Sequence, residues 1–258
     1  MGWRRIVNLA LNRYLPGVRL PIRVSPGLWW LAQGDSLDNQ LFQGTFEIAE
    51  RAVFRDLIRP GMTVLDIGAN AGLYAMTAAI LAGPHGRVIA FEPSARERAR
   101  LGRHLALNRI TNVTIEPFAL GERDAETDFY VADRTDSVLN SRVAMPGVSM
   151  TAARVPMVRL DSYLARAGLD RVDVVKLDVE GSERDVLRGA ETCFLRSRPL
   201  LMCELEPART LPWGYAPGVI FDLVASWRYE WLAITRGGLK PLAGTPATFT
   251  GNYLARPL

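Results

Sequence analysis

The run Met62-Thr63-Val64-Leu65, the segment Asp66-Ile67-Gly68-Ala69-Asn70-Ala71-Gly72 and the stretch Leu73 to Ile80 together restrict this chain more than any other feature. The first run is short, apolar and branched, like a buried strand, and the last reads as a helix. The glycine-bearing segment is therefore a strand-to-helix turn. In an open α/β sheet such turns lie at the carboxyl ends of the strands, where ligands enter a crevice. Gly68 and Gly72 carry no Cβ, which permits close approach of backbone to a ligand.

The residues of the turn narrow that ligand. A dinucleotide fingerprint, Gly-x-Gly-x-x-Gly, sets its second glycine against a pyrophosphate. Here that position is Asn70 and the third is Leu73, while a carboxylate, Asp66, ends the strand. A fixed negative charge repels a pyrophosphate and attracts a sulfonium or an amino group. S-adenosylmethionine is thus favoured over NAD, although a glycine turn alone also suits an ordinary βα connection. Glu92 closes the next strand, Arg87 to Phe91. It stands about twenty residues past the turn, where Rossmann-like folds place an acid on ribose hydroxyls. After a third strand, Val113 to Ile115, the segment Ala119-Leu120-Gly121 offers room for an adenine ring.

A second focus is Val172-Asp173-Val174-Val175-Lys176-Leu177-Asp178-Val179-Glu180-Gly181. An apolar strand runs into a Lys, an Asp and a Glu, and strand alternation places Lys176, Asp178 and Glu180 on one side if the strand extends that far. The chain has only two lysines, Lys176 and Lys240. Lysine is a compact point charge whose pKa responds to burial, so its use here points to function, against the simpler reading of a Lys176–Asp178 pair. Ser182 and Glu183 read as a cap and a first-turn acid of the following helix. Glu204 and Glu206, at the end of the strand from Leu200, point towards the same crevice. Glu47 starts a helix over residues 46–58 and is within reach of the pocket, though a first-turn acid is favoured anyway.

At 258 residues, length alone does not require a second domain. The net charge of +4 is too modest to argue for nucleic acid. Cys193 and Cys203 read as small buried residues of a reduced, cytoplasmic protein. With only His85, which reads as solvated in a turn, and His104, without a visible partner, and with no Cys-x-x-Cys, a common zinc site is disfavoured. No apolar run reaches the length of a membrane span, and Asn8 and Asn12 interrupt the only stretch resembling a signal-peptide core. The first 34 residues contain five arginines and no acid. Trp3, Ile6, Val7, Ala10 and Tyr14 follow helical spacing, a basic amphipathic helix suited to packing, to a homodimer contact, or to the inner face of a membrane through residues 1–15. Pro16, Pro21 and Pro26 suggest an extended connection, and Leu28-Trp29-Trp30-Leu31 an apolar patch that needs a partner. The division expected is an arm over residues 1–43 and a domain over 44–258. That domain carries a substrate-facing insertion around 122–158, whose long polar stretch includes Ser137, Asn140, Ser141 and Arg142.

In order, Gly44-Thr-Phe-Glu47, Val64 to Gly72, Phe91-Glu-Pro93, Val175 to Glu183, Leu187-Arg-Gly-Ala190 and Cys203-Glu204 resemble the FkbM-type S-adenosylmethionine-dependent methyltransferases. A fainter echo lies in Gly251-Asn-Tyr-Leu-Ala-Arg256. The resemblance implies a class I methyltransferase (Rossmann-like) fold: a seven-stranded, mostly parallel sheet with one antiparallel strand and helices on both faces. It implies O-methylation of a hydroxyl on a sugar, glycan or polyketide-like natural product. Glu47, Asp66, Gly68, Ala69, Asn70, Gly72, Glu92, Pro93 and Ala119 would surround the cofactor, and Asp178, Glu180 and Lys176 would border the methyl group. A hydroxyl is a poor nucleophile, so a carboxylate base would help, Asp178 before Glu180. Their oxygens also suit Mg²⁺, but no sequence feature demands a metal. Two rival classes share the cofactor site, an RNA methyltransferase and a non-catalytic S-adenosylmethionine-binding protein.

Overall fold

The computed structural model describes residues 14, 17–132, 140–144 and 147–258. Leu20–Ser25 (β1) and Leu28–Ala32 (β2) form a hairpin, followed by helices Ser36–Gln43 (α1) and Ile48–Leu57 (α2). Thr63–Ile67 (β3), Leu73–Ala82 (α3), Arg87–Phe91 (β4), Ala95–Asn108 (α4) and Val113–Glu116 (β5) then alternate in right order for a doubly wound sheet. Ala119–Leu120 (β6), Ala125–Ala132 (β7) and Met150–Val158 (β8) precede Leu160–Ala167 (α5) and Val174–Leu177 (β9). Glu183–Arg188 (α6), Glu191–Arg196 (α7), Leu200–Glu204 (β10), Pro207–Thr210 (α8) and Gly218–Ser226 (α9) follow. The described chain closes with Tyr229–Thr235 (β11), Gly238–Pro241 (β12) and Asn252–Pro257 (β13).

The main sheet has eight strands in the order β12-β11-β13-β10-β9-β3-β4-β5. Strands β5, β4, β3, β9 and β10 are mutually parallel, and β13 runs antiparallel to both β10 and β11. Seven of these strands match the expected arrangement. The eighth, β12, pairs antiparallel with β11 through a tight turn at Arg236-Gly237 and extends the edge. The central strands are buried on both faces, as parallel strands must be when helices cover them. One apolar cluster, including Leu65, Phe91 and Phe194, lies on one face, and another, including Val64, Met76 and Val88, on the other.

Two expectations change. The N-terminal prolines do not mark an open connection, because residues 20–32 pair as a hairpin. Trp30 is its anchor, stacking on His104 at 4.0 Å between ring centroids. The Trp30 Nε1–H donates to Asp38 (2.7 Å), which also accepts from the Gln33 and Gly34 amides and from Arg100. Arg100 is bound as well to Asp35. His104 therefore has partners, for its Nδ1 also bonds the Ala71 carbonyl at 2.8 Å. The basic helix expected before residue 14, and Ser137, lie outside the described residues. Among the described residues of the insertion, β7 and β8 pair antiparallel as expected, and β8 also pairs with β6 to complete a three-stranded sheet. Among the described residues, no helix is long and apolar enough to cross a membrane.

Candidate functional site

Strand order reverses at β3: the chain builds β4 and β5 to one side and β9 and β10 to the other. At this switch point, above the carboxyl ends of β3, β4, β9 and β10, lies a cavity of about 280 Å³. All twelve residues singled out from the sequence line it: Glu47, Asp66, Gly68, Ala69, Asn70, Gly72, Glu92, Pro93, Ala119, Lys176, Asp178 and Glu180. Its walls carry six carboxylates, from Glu47, Asp66, Glu92, Asp178, Glu180 and Glu204, against three cations, Arg142, Lys176 and Arg209. The cavity is therefore suited to a ligand with positive charge.

The turn after β3 is shaped by protein neighbours more than by room for a ligand. A Cβ on Gly68 would overlap the Asp178 carbonyl, and one on Gly72 would overlap Leu101 of α4. Both glycines have positive φ, +85° and +91°, so they let β3 approach β9 and let α3 approach α4. Asn70, also left-handed at φ 48°, turns its amide onto Glu92 Oε2 at 2.8 Å. The Ser94 amide donates to Glu92 Oε1 at 2.7 Å. A carboxylate has about four acceptor positions, so these two bonds orient Glu92 and leave capacity for two hydroxyls. Burial pushes the Glu92 carboxyl up to about 7, against these two amides.

Asp66 is 2% exposed, and its Oδ2 has no hydrogen-bond partner among the described residues. Burial pushes its carboxyl up to about 7 despite nearby Lys176 and the Ala75 amide. Such an orphaned buried oxygen needs a donor to offset its desolvation. Phe91, Phe118, Ala119, Leu120 and Phe129 give the cavity an apolar part of its lining.

The opposite wall is organised by Lys176. Its side chain is 1% exposed, and its Nζ donates to Asp178 at 2.9 Å and to Asn252 at 3.0 Å. Burial disfavours its charge, but Asp178 and Glu47 outweigh burial and raise its pKa above the ordinary lysine range. Asn252 in turn donates to Glu47 Oε1 (3.3 Å), and the Tyr74 hydroxyl donates to Glu47 Oε2 (2.5 Å). Glu47 thus joins the site through a left-handed residue preceding α2 (φ 41°), and burial raises its carboxyl above the usual range. Tyr74 and Asn252 are site residues without a local sequence signal, apart from the Gly251-Asn-Tyr echo at Asn252.

Lys176, Asp178 and Glu180 do converge, though not by strand alternation, since β9 ends at Leu177. Glu180 sits at φ 54° in a tight turn. Its carbonyl accepts from Ser141 Oγ (3.0 Å) and Trp213 Nε1 (3.2 Å), and its carboxylate pairs with Arg209 at 2.9 Å. Burial and Asp178 raise its carboxyl well above the usual range. Glu183, buried, folds back to accept from the Val179 and Gly181 amides, at 2.9 and 3.2 Å. It sits in the first turn of α6 as expected and also braces this turn, whereas Ser182 makes no side-chain cap.

Glu204 ends β10 in the same cavity, while Glu206 does not line it. One Glu204 oxygen is buried without a partner among the described residues, and burial with Asp178 and Glu180 pushes its carboxyl up to about 10. Oxygens of Asp178, Glu180 and Glu204 lie within 4.8 Å of one another, a spacing compatible with a hard cation. Lys176 and Arg209 already neutralise two of the three.

A sequence profile described as the methyltransferase FkbM domain matches residues 66–230. The 31-O-demethyl-FK506 methyltransferase FkbM of Streptomyces tacrolimicus is 33% identical over 160 residues, covering 52% of this chain and 61% of that protein. The 2-O-methyltransferase NoeI of Sinorhizobium fredii is 26% identical over 161 residues, covering 57% and 65%. The chain thus spans less than two thirds of the length of either curated relative. Among solved structures, a methyltransferase FkbM from Methylobacillus flagellatus KT superposes with a TM-score of 0.51 at 16% identity, over 84% of this chain and 54% of that one. That likeness shows a shared fold.

Proposed function

The chain belongs to the FkbM methyltransferase family, and we propose that it transfers a methyl group from S-adenosylmethionine to a hydroxyl of a small-molecule or glycan acceptor. The observation that carries this reading is the pair of buried acids at the ends of adjacent strands. Among the described residues Asp66 keeps an oxygen without a partner, and Glu92 keeps acceptor capacity beyond its two amides. Asp66 would receive the amino group of the methionine part, with Gly68, Ala69, Asn70 and Gly72 beside it. Glu92 would receive the ribose diol, next to Pro93, and the apolar lining at Ala119 the adenine. Glu47 is fixed by Tyr74 and Asn252 and adds negative charge on the methionine side.

S-adenosylmethionine supplies a methyl carbon on a positively charged sulfur; this chain's residues position it and handle the acceptor's proton. In-line displacement depends strongly on positioning, and a carboxylate within reach of the hydroxyl assists it. Asp178 is the candidate base. Its side chain is 27% exposed to the cavity, against 1% for Lys176, which holds its orientation through the 2.9 Å pair. Glu180, held by Arg209, is the second choice. Transfer to oxygen is supported by the 31-O and 2-O activities named for the two relatives. The insertion over 122–158 brings Ser141 and Arg142 to the cavity's Glu180 side and would contribute to acceptor choice.

The test is a screen of hydroxyl-bearing acceptors by mass spectrometry for a product heavier by one methylene. Asp178→Asn is expected to keep cofactor affinity and lose most turnover. Unchanged turnover in that variant would remove Asp178 from the role, and wild-type protein inert towards all hydroxyl acceptors would count against O-methyl transfer.

A further inference from the structure

The β1–β2 hairpin has an inner face that the core absorbs and an outer face that nothing covers among the described residues. Cross-strand pairing sets Arg23 opposite Trp29 and Pro21 opposite Leu31, while Ile22 is opposite Trp30. Residues opposed in an antiparallel ladder share a face, and neighbours alternate. Trp30 is fully buried, whereas Trp29 is 45% exposed. Trp29 is nevertheless held firmly, for Asn108 accepts from its amide (2.8 Å) and donates to its carbonyl (2.7 Å). Asn108 is the last residue of α4, where Leu107 is 37% exposed and Arg109 follows in the solvent. Arg103 lies one turn before Leu107 on the same helical face. It is near enough to Arg19 that this like charge, after burial, lowers its pKa.

The exposed charge on the hairpin and α4 is of one sign. Residues 1–34 contain no acid, and the only acid in α4, Glu97, is buried at 0% exposure. Asp35 and Asp38 are buried against Arg100 below the hairpin. The exposed arginines, Arg19, Arg23 and Arg109, therefore have no nearby carboxylate on these elements to quench them.

We propose that this face, formed by Arg19, Arg23 and Trp29 of the hairpin with Arg103, Leu107 and Arg109 of α4, docks the protein on an anionic lipid surface. Arginines gain from an anionic leaflet, and a half-exposed indole is suited to the headgroup boundary. Leu107 beside them gains from an acyl boundary but nothing from a phosphate backbone, which favours lipid over nucleic acid. The acid-free residues before the hairpin, with Trp3, Ile6 and Val7 among Arg4, Arg5 and Arg13, continue the same composition. Apolar burial and attraction to anionic lipid add together in the binding of such a surface.

The test is co-sedimentation of the full chain with vesicles of phosphatidylcholine alone and of phosphatidylcholine mixed with phosphatidylglycerol. Binding is expected to the mixed vesicles only, and to fall as salt is raised. Arg23→Glu should weaken it roughly tenfold and Trp29→Ser should also weaken it, with unchanged thermal midpoints, because both side chains are exposed. Absence of binding to either vesicle, or equal binding to both, would overturn the proposal. So would full binding by Arg23→Glu and Trp29→Ser when Arg4→Glu with Arg5→Glu abolishes it. Binding of a single-stranded RNA at a salt concentration where vesicles are not bound would assign the face to nucleic acid instead.

Discussion

Gly68→Ala isolates the contact that brings the two walls of the cavity together. The Gly68 φ of +85° is a left-handed conformation that a side chain adopts at a cost of about 1–2 kcal/mol. The added Cβ would also overlap the Asp178 carbonyl oxygen, with the Asp178 carbonyl carbon at 2.9 Å and Val179 Cγ1 at 3.3 Å. The overlap is with backbone, which no rotamer change relieves. The Asp178 amide is further tied to the Ile67 carbonyl at 3.0 Å, so the end of β9 cannot withdraw freely. Overpacking of this kind adds about 1–3 kcal/mol, for a total of about 2–5 kcal/mol. Two controls separate the contributions. Gly44→Ala has a φ of +68° with nothing within 4 Å, so it should lose only the conformational part, about 1–2 kcal/mol. Gly102→Ala, inside α4 with nothing within 4 Å, should gain up to about 1 kcal/mol. Urea unfolding of the three variants measures all of this. Equal destabilisation in Gly68→Ala and Gly44→Ala would refute the close approach of β3 and β9.

Other consequences follow from the buried charges. Because burial pushes the Asp66 carboxyl up to about 7, a cationic ligand must displace a proton below that pH. Affinity for S-adenosylmethionine should therefore rise between pH 6 and pH 8, by up to about tenfold per unit on the acid side, and Asp66→Asn should flatten the dependence in calorimetry. Arg100→Ala would strand Asp35 and Asp38 in the interior beneath the hairpin and should cost about 3–5 kcal/mol in chemical unfolding.

Much of the site was legible because its residues sit at strand ends, where short apolar runs meet charged residues. Asp66 lies near the end of β3, and Glu92 and Asp178 directly follow β4 and β9, so parallel pairing brings them together once the strands are recognised. What escaped the sequence depends on contacts distant along the chain. Asn252 reaches Lys176 across 76 positions, and Arg100 reaches Asp35 across 65, neither with a local pattern. The hairpin was hidden by its prolines, which are tolerated here because the β1–β2 pair forms a sheet of only two strands, both at an edge. Gly68 and Gly72 were recognised as necessary, but for ligand approach, whereas each relieves a protein contact. Lys176, Asp178 and Glu180 were grouped by alternation, whereas a left-handed turn braced by Glu183 and Trp213 brings Glu180 back.

The central claim is that Asp66 and Glu92 hold S-adenosylmethionine at the switch point of the sheet. Isothermal titration of S-adenosylmethionine into the wild-type protein, Asp66→Ala and Glu92→Ala tests it most directly. One-site binding by the wild type, weakened at least about tenfold in each variant by loss of a charge-assisted contact, is the result expected. Absence of binding by the wild type, or undiminished binding by both variants, would contradict it.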